Sequence, residues 1–425
     1  MRHHAYPGDL SREALVAWYR AARERTKTLF AMVAPEAYYD RPIALRNPVV
    51  FYEGHLPGFS VNTLVKLALQ RPGIDERLET LFARGIDPED ETAVRSPTDL
   101  WPSREEVQSF AAACDALIEE TLFTAPLEDA RVPQLEGGEA VLTVLEHELM
   151  HQETLFYMLH QLAFEKKVKP AGASPAAASN APPDLHARVR IPAGRATLGA
   201  VRGATFGWDN EFPEHAVDVP AFTIDAHNVT NGSYLEYMNA TGAPAPHFWH
   251  RAGNGWDWCG MFERIPLPLD APVYVTHEQA AAYAAWKGCR LPTEAEFHRA
   301  AYGTPSGEER LHPWGDQPAD ATRGNFDFAT LDPVAAGSYP PSAWGVYDLV
   351  GNGWEWTSTI FDGFAGFEPM PSYPVYSAEF FDGAHYVLKG ASPVTAKELV
   401  RRSFRNWFRP NYPYVYATFR CVSEG

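Results

Sequence analysis

Cysteine is scarce in this sequence. The four residues, Cys114, Cys259, Cys289 and Cys421, form no C-x-x-C pair and no metal-type spacing. That argues against a disulfide scaffold and against a thiolate zinc site, and it predicts reduced thiols in a cytoplasmic protein. Positive charge is scarce too: 36 Lys and Arg against 54 Asp and Glu leave a net charge of −18. Binding a phosphate backbone or an anionic lipid face needs clustered cations, so neither nucleic acid nor membrane is expected as a partner. No apolar run reaches the ~20 residues of a bilayer span. Met1 to Leu10 is polar, carries two histidines and lacks the apolar stretch of a secretory signal. Aromatic residues, by contrast, are plentiful. There are 12 Trp, most of them in the second half, which suggests a loop-rich domain with rings as its core.

At 425 residues the chain is long enough for two or three domains. The first part reads as helices. Ser11 caps a helix running to about Met32, with Leu15, Val16, Tyr19 and Ala22 at helical spacing. A second helix is expected after Pro57, carrying Val61, Leu64, Val65 and Leu67. A third starts at Ser103, with Glu106 completing a capping box. A fourth runs from about Glu139 to Phe164. Four such helices predict an all-α bundle over 1–169. Between the second and third helices, Gly85 to Trp101 reads as an acidic, Pro-containing loop. Residues 170–186, opening PAGASPAAAS, read as a linker. From 187 to 425, Gly, Pro, Asn and Trp dominate, and a mixed α+β, loop-rich domain is expected. Its clear helical stretch is Thr276 to Ala301, broken near Gly288 and restarted by a capping box at Thr293 and Glu296.

Within the fourth helix stands His147-Glu148-Leu149-Met150-His151-Gln152-Glu153. Four residues are about one turn, so the two imidazoles leave the same face. Such a pair is two thirds of a metal site, although an i,i+4 His pair also arises by accident. The pattern is also H-E-x-x-H, in which two His bind zinc and the Glu serves as base of a peptidase. That reading needs Glu148 as base and a downstream third ligand, for which Glu165 stands at a workable distance. Glu153 is either an outer carboxylate orienting an imidazole or a solvated helix residue. His160 reads as packing or surface.

The second half resembles the formylglycine-generating-enzyme-like (sulfatase-modifying factor) family. The matching segments are Ile191-Pro-Ala-Gly, Val229-Thr230-Asn231, Arg290-Leu-Pro-Thr-Glu-Ala-Glu-Phe297, Pro313-Trp-Gly-Asp316, Gly345 to Trp356, Leu388-Lys-Gly-Ala-Ser392 and Thr418-Phe-Arg-Cys421. The first half, with its H-x-x-x-H-x-E, is similar to the DinB-like domain. The two in this order resemble the ergothioneine-type sulfoxide synthases and their selenoneine-forming relatives. The resemblance implies a non-haem Fe(II) enzyme that uses O2 to join a thiol or selenol donor to imidazole C2 of hercynine.

The resemblance also implies roles for residues. Iron would be held by His147, His151 and His55, the last in Phe51-Tyr-Glu-Gly-His-Leu-Pro. Three imidazoles suit Fe(II) with open positions, whereas structural zinc more often has four protein ligands. Asn406 matches an Asn that binds the hercynine carboxylate, and Trp407 beside it suits a quaternary ammonium; the plain alternative for Trp407 is core. Phe408 stands where the γ-glutamylcysteine branch has an acidic residue, and Met150 where that branch has a Gln that helps hold hercynine. Phe364 falls near the place of a proton-donating Tyr, so Tyr373, Tyr376 and Tyr416 are the candidate donors. An apolar Phe408 cannot pair with a donor ammonium, which points away from γ-glutamylcysteine; either one of these tyrosines serves as proton donor or the donor chemistry needs less help, and a selenol or selenosugar fits the second option. Glu355 falls where the fold often holds a structural Ca2+; the alternative is a turn carboxylate satisfied by backbone amides. Against a formylglycine-generating oxidase, Ala391 to Pro410 contains no cysteine. A non-catalytic binding module of this fold would not need the three histidines.

Overall fold

The computed structural model describes residues 1–83, 101–170 and 184–425. The expected loop from Gly85 and most of the linker lie outside the described residues. The chain forms two compact units. The first takes in the described residues of Met1–Ala173 together with Met370–Pro374; the second takes in those of Ser174–Pro369 and Val375–Gly425.

The first unit opens with a two-stranded hairpin, β1 (Arg2–His3) and β2 (Tyr6–Asp9), and continues into a helical bundle. Helix α1 (Arg12–Ala31) starts where expected, with the Ser11 side chain accepting the Ala14 N–H. Helix α2 (Val49–Ser60) begins nine residues before the predicted start, because Pro57 lies inside the helix instead of preceding it. All twelve of its residues are buried, so it shows no polar face that could mark it. It runs on into Val61–Ala68, a π-helical stretch. After a short α3 (Glu76–Leu81) comes α4 (Arg104–Thr124). Ser103 caps α4 through the Glu106 N–H, but the Glu106 carboxylate pairs with Arg77, so the expected box is half made. Helix α5 (Glu139–His160) is the central element and is buried along most of its length. The four long helices α1, α2, α4 and α5 pack on one another as a bundle.

The second unit is built from short strands and turns. In chain order they are β3 (Arg188–Ile191), β4 (Gly194–Leu198), β5 (His215–Val219), β6 (Phe222–Asp225), α6 (Asn231–Thr241), β7 (Trp249–Ala252), β8 (Gly255–Cys259), β9 (Arg264–Pro266), α7 (His277–Trp286) and α8 (Glu294–Tyr302). Then follow β10 (Gly353–Ile360), β11 (Tyr386–Ala391), β12 (Asn406–Phe408), β13 (Ala417–Thr418) and β14 (Val422–Glu424). The main sheet has the order β12-β11-β10-β13, and a second has β14-β6-β3. Both α7 and α8 start with complete capping boxes, Thr276 with Gln279 and Thr293 with Glu296. One core joins Ile191, Phe222, Ile224, Phe297, Leu349 and Val422. Among the described residues no helix is long and apolar enough to cross a membrane.

Candidate metal centre

In the first unit, α2 and α5 bring three imidazoles together. The ring centroids of His55, His147 and His151 lie 4.4 to 5.2 Å apart. One ring nitrogen from each falls within 4.8 Å of the other two. The His55 Nδ1–H donates to the Phe82 carbonyl at 2.7 Å, which leaves Nε2 with its lone pair free. That Nε2, both nitrogens of His147 and Nδ1 of His151 are buried without a hydrogen-bond partner. Buried polar atoms are nearly always satisfied, and leaving several orphaned costs about 1–3 kcal/mol each. Convergent lone pairs that nothing in the protein satisfies fit a bound cation. Burial pushes His55 down to about 4 and holds His147 and His151 well below the usual imidazole range, helped by the neighbouring rings and, at His151, by Arg46. All three are therefore neutral at pH 7, the form that ligates metal.

Aromatic rings wall this site. Phe51 stacks on His55 at 5.0 Å, Phe59 on His147 at 3.5 Å, and Tyr52 stands 5.9 Å from His151. Tyr373 reaches the same place from far along the sequence, 5.2 Å from Phe59 and 6.2 Å from His147. Its neighbour Ser372 secures it. The Ser372 N–H donates to Glu139 Oε1 at 2.8 Å, and its hydroxyl meets that of Thr143 at 2.9 Å. Glu139, Thr143 and His147 stand at i, i+4 and i+8 on one stripe of α5. Of the three candidate tyrosines, Tyr373 is the one that belongs to the unit holding the histidines.

A second group, His3, His4 and Glu146, has the composition of a metal site. Its bonding differs. His3 Nδ1 accepts the Ala5 N–H, so its hydrogen is on Nε2, which donates to Glu146 at 2.5 Å. Both His3 nitrogens are thus committed within the protein.

Glu148 does not share the histidine face. It follows His147 by one residue, about 100° around the helix. Its Oε1 accepts from Arg23 at 2.8 Å and from the Thr26 hydroxyl at 2.5 Å. Glu165 is exposed beyond the end of α5. The peptidase assignment of base and third ligand is thereby overturned, since Glu148 is tied to α1 and His55 completes the trio. Glu153 is 6% exposed, which excludes the solvated alternative for it. His160 is buried. Met150 is half-buried on α5, next to His151.

The other predicted residues lie in the second unit. Asn406, Trp407 and Phe408 form β12, all half-buried, and pair with β11 so that Trp407 faces Val387 in register. The Asn406 Oδ1 accepts the Trp407 N–H at 2.9 Å. Trp407 stacks on Phe361 at 4.2 Å with Tyr376 5.2 Å away, and Tyr376 in turn packs on Trp208 at 4.1 Å. Phe408 stacks on Tyr412. Phe364 lies under the Arg405 guanidinium at 4.2 Å and beside His215. Tyr416 is core, 2% exposed between Phe248 and Tyr274.

The calcium expectation at Glu355 does not hold. Both carboxylate oxygens are engaged by Arg420, each at 2.7 Å, with both side chains fully buried. Arg420 also donates to the carbonyls of Asp225, Ala226 and Tyr347. A guanidinium occupies the place of a cation, so neither calcium nor backbone amides account for this carboxylate. Sequence reasoning missed this pair, and it missed Phe59, Phe82, Arg23 and Ser372. The one local signal was Thr418-Phe-Arg-Cys421, whose Arg was read only as part of a motif.

Residues 174–425 match the sulfatase-modifying factor enzyme 1-like domain, and residues 19–155 match the DinB superfamily. A protein of Mycolicibacterium smegmatis named hercynine oxygenase is 30% identical over 97% of this chain and 99% of its own length. A namesake from Mycolicibacterium thermoresistibile is 36% identical over 69% of this chain and 70% of its own. Ergothioneine biosynthesis protein 1 of Neurospora crassa is 28% identical over 92% of this chain, which spans 56% of that protein.

Proposed function

Because the chain belongs to the hercynine oxygenase family, with a DinB-superfamily bundle ahead of a sulfatase-modifying-factor domain, we propose that it joins a thiol or selenol donor to imidazole C2 of hercynine with O2 and Fe(II). The observation that carries this is the set of buried, partnerless ring nitrogens on His55, His147 and His151. They would hold the metal; three neutral imidazoles suit Fe(II) and leave positions for substrates. Bound there, iron supplies the redox chemistry that lets O2 react with two organic substrates. Forming the carbon–chalcogen bond withdraws two electrons, and oxidising the chalcogen withdraws two more. One O2 balances both, with one oxygen atom in the product and one in water, so no external reductant is needed.

The chain's own side chains bind, shield and move protons. Phe51 and Phe59 cover two imidazoles and keep water off them. Tyr373 is the proposed proton donor, its phenol held beside His147 by the Ser372 contacts. Asn406 is proposed to take the hercynine carboxylate and Trp407 the trimethylammonium. Phe408 cannot pair with an ammonium, which supports a donor other than γ-glutamylcysteine, a selenol among the classes to be tried; Met150 cannot donate a hydrogen bond, which bears on how hercynine is held.

The test is oxygen uptake by protein reconstituted with Fe(II), given hercynine and cysteine, γ-glutamylcysteine or a selenosugar in turn. Uptake that requires both hercynine and one donor, with one O2 per product, is expected. Full iron content and turnover in His147→Ala would refute the site, and chelator-sensitive peptide hydrolysis would refute the reaction class.

A further inference from the structure

The glutamate of His147-Glu148-x-x-His151 is left without a catalytic task, yet it is 1% exposed and more tightly bonded than a surface residue would be. On α5, the residue that follows each of the two histidines is tied to α1. Glu148 Oε1 accepts from Arg23 at 2.8 Å and from Thr26 Oγ1 at 2.5 Å. Gln152, following His151, donates to the Ala22 carbonyl at 2.8 Å and to Thr26 Oγ1 at 3.1 Å. Arg23 continues the connection to α4, donating to Asp115 at 2.7 Å, where the Tyr19 hydroxyl also bonds at 2.9 Å. Burial works to strip the Arg23 proton, but Glu148 and Asp115 more than offset it, so the group stays cationic. The network therefore spans α1, α4 and α5 and is almost wholly out of water.

Two stripes thus run side by side on α5. His147 and His151 face His55 on α2; Glu148 and Gln152 face α1. They are offset by about 100°, so fixing one fixes the other. The lever is short. Side-chain tips lie about 5–6 Å from a helix axis, and a rotation of about 20° moves them roughly 2 Å. That is as long as a metal–nitrogen bond, about 2.0–2.1 Å. Apolar contacts alone tolerate such a turn better than directional bonds do, because hydrophobic attraction has no direction.

We infer that Glu148 and Gln152 are positioning residues, which key the rotation of α5 to Arg23 and Thr26 of α1 and so aim His147 and His151 at the nitrogen of His55. This rests on the proposal that the three histidines hold a metal. The carboxylate of the motif then sets the aim of the ligands and abstracts no proton.

The experiment uses the full chain, freed of metal and titrated with Co2+, whose visible absorption reports ligand number and geometry. Two variants are compared with the parent. Thr26→Val removes the hydroxyl shared by Glu148 and Gln152. Arg23→Met with Glu148→Leu and Asp115→Asn replaces the buried ion triad by uncharged side chains, so that no carboxylate is left charged without Arg23, an exchange that often preserves or raises stability. The expected result is Co2+ affinity weaker by about tenfold, the scale of losing an outer partner of a metal ligand, and an altered absorption band. Metal-free melting temperatures should stay near the parent value for at least the uncharged triple variant. A structural role alone would move melting and leave the band in place. Parent-like affinity and band in either folded variant would overturn the inference. His55→Ala separates the two levels: if it abolishes Co2+ binding while those variants bind normally, only the positioning idea fails. If it leaves binding untouched, the metal reading fails and takes the inference with it.

Discussion

Replacing Gly54 by alanine should weaken the proposed metal site although Gly54 is not one of its ligands. Gly54 precedes His55 on α2, and an alanine methyl there would fall inside the van der Waals surface of three carbon atoms of the Phe82 ring. That ring is fully buried and cannot swing away freely, since Phe51, Trp101 and Phe110 stand 6.1 to 6.2 Å from it. Overpacking of this kind costs about 1–3 kcal/mol, while alanine in a helix gains up to about 1 kcal/mol over glycine. The net expectation is a loss of about 0–2 kcal/mol. A second effect falls on the proposed metal site. Phe82 carries the carbonyl that fixes the His55 tautomer and ring plane, so moving it should cost roughly tenfold in affinity. Gly58 is the control in the same helix. Its added methyl would meet Phe110 at 3.6 Å, an ordinary contact, so Gly58→Ala should be neutral or stabilise by up to about 1 kcal/mol. Urea unfolding of the metal-free protein and Co2+ titration measure both quantities. Gly54→Ala that matched Gly58→Ala in stability and bound metal as tightly as the parent would refute the argument that Phe82 orients His55.

Other expectations are shorter to state. Tyr373→Phe should keep metal affinity while turnover falls about 10²-fold or more, as loss of a proton donor does; Ser372→Ala, which deletes one side-chain hydrogen bond, should cost about 1 kcal/mol and lower turnover in the same direction. Glu355→Ala should destabilise by about 3–5 kcal/mol by stranding a buried guanidinium, whereas a calcium chelator should leave the melting temperature unchanged. Burial pushes His277 down to about 4, its Nε2–H donating to the Thr357 carbonyl. The unfolded chain binds more protons there between about pH 4 and 6.5, so this contribution is complete above pH 6.5 and is lost as pH falls toward 4. Between pH 7 and 5 it amounts to about 1–2 kcal/mol, and His277→Gln should flatten the pH dependence of unfolding by that amount.

Local signals carried part of this structure into the sequence. Ser11, Thr276 and Thr293 mark helix starts because a capping hydroxyl acts within three residues. The i,i+4 histidines were legible for the same reason. Helix α2 was misplaced because a helix buried all round has no polar stripe and because Pro57, normally a starter, lies within it. Helix α6 was overlooked, since its Asn, Gly, Ser and Thr content reads as turn; Thr230 caps it and Gly242, in the left-handed region, ends it. Pairings across long sequence separations left no local trace. Arg420 with Glu355, and Arg23 with Glu148, look like ordinary surface charges until the fold closes them. The near-total burial of Glu148 follows from which helix lies beside α5, and spacing within α5 does not encode that.

The attachment of Ser372 to the start of α5 has a consequence for biosynthesis. Helix α5 ends at His160, but the tyrosine that closes over His147 and Phe59 is residue 373. At about 5–20 residues per second, roughly 10–40 s pass on the ribosome between the two. During that interval a folded bundle would present its histidines without their Tyr373 cover. A nascent chain would expose the proposed metal ligands before Tyr373 could cover them, and the order of translation becomes the order of assembly of the site.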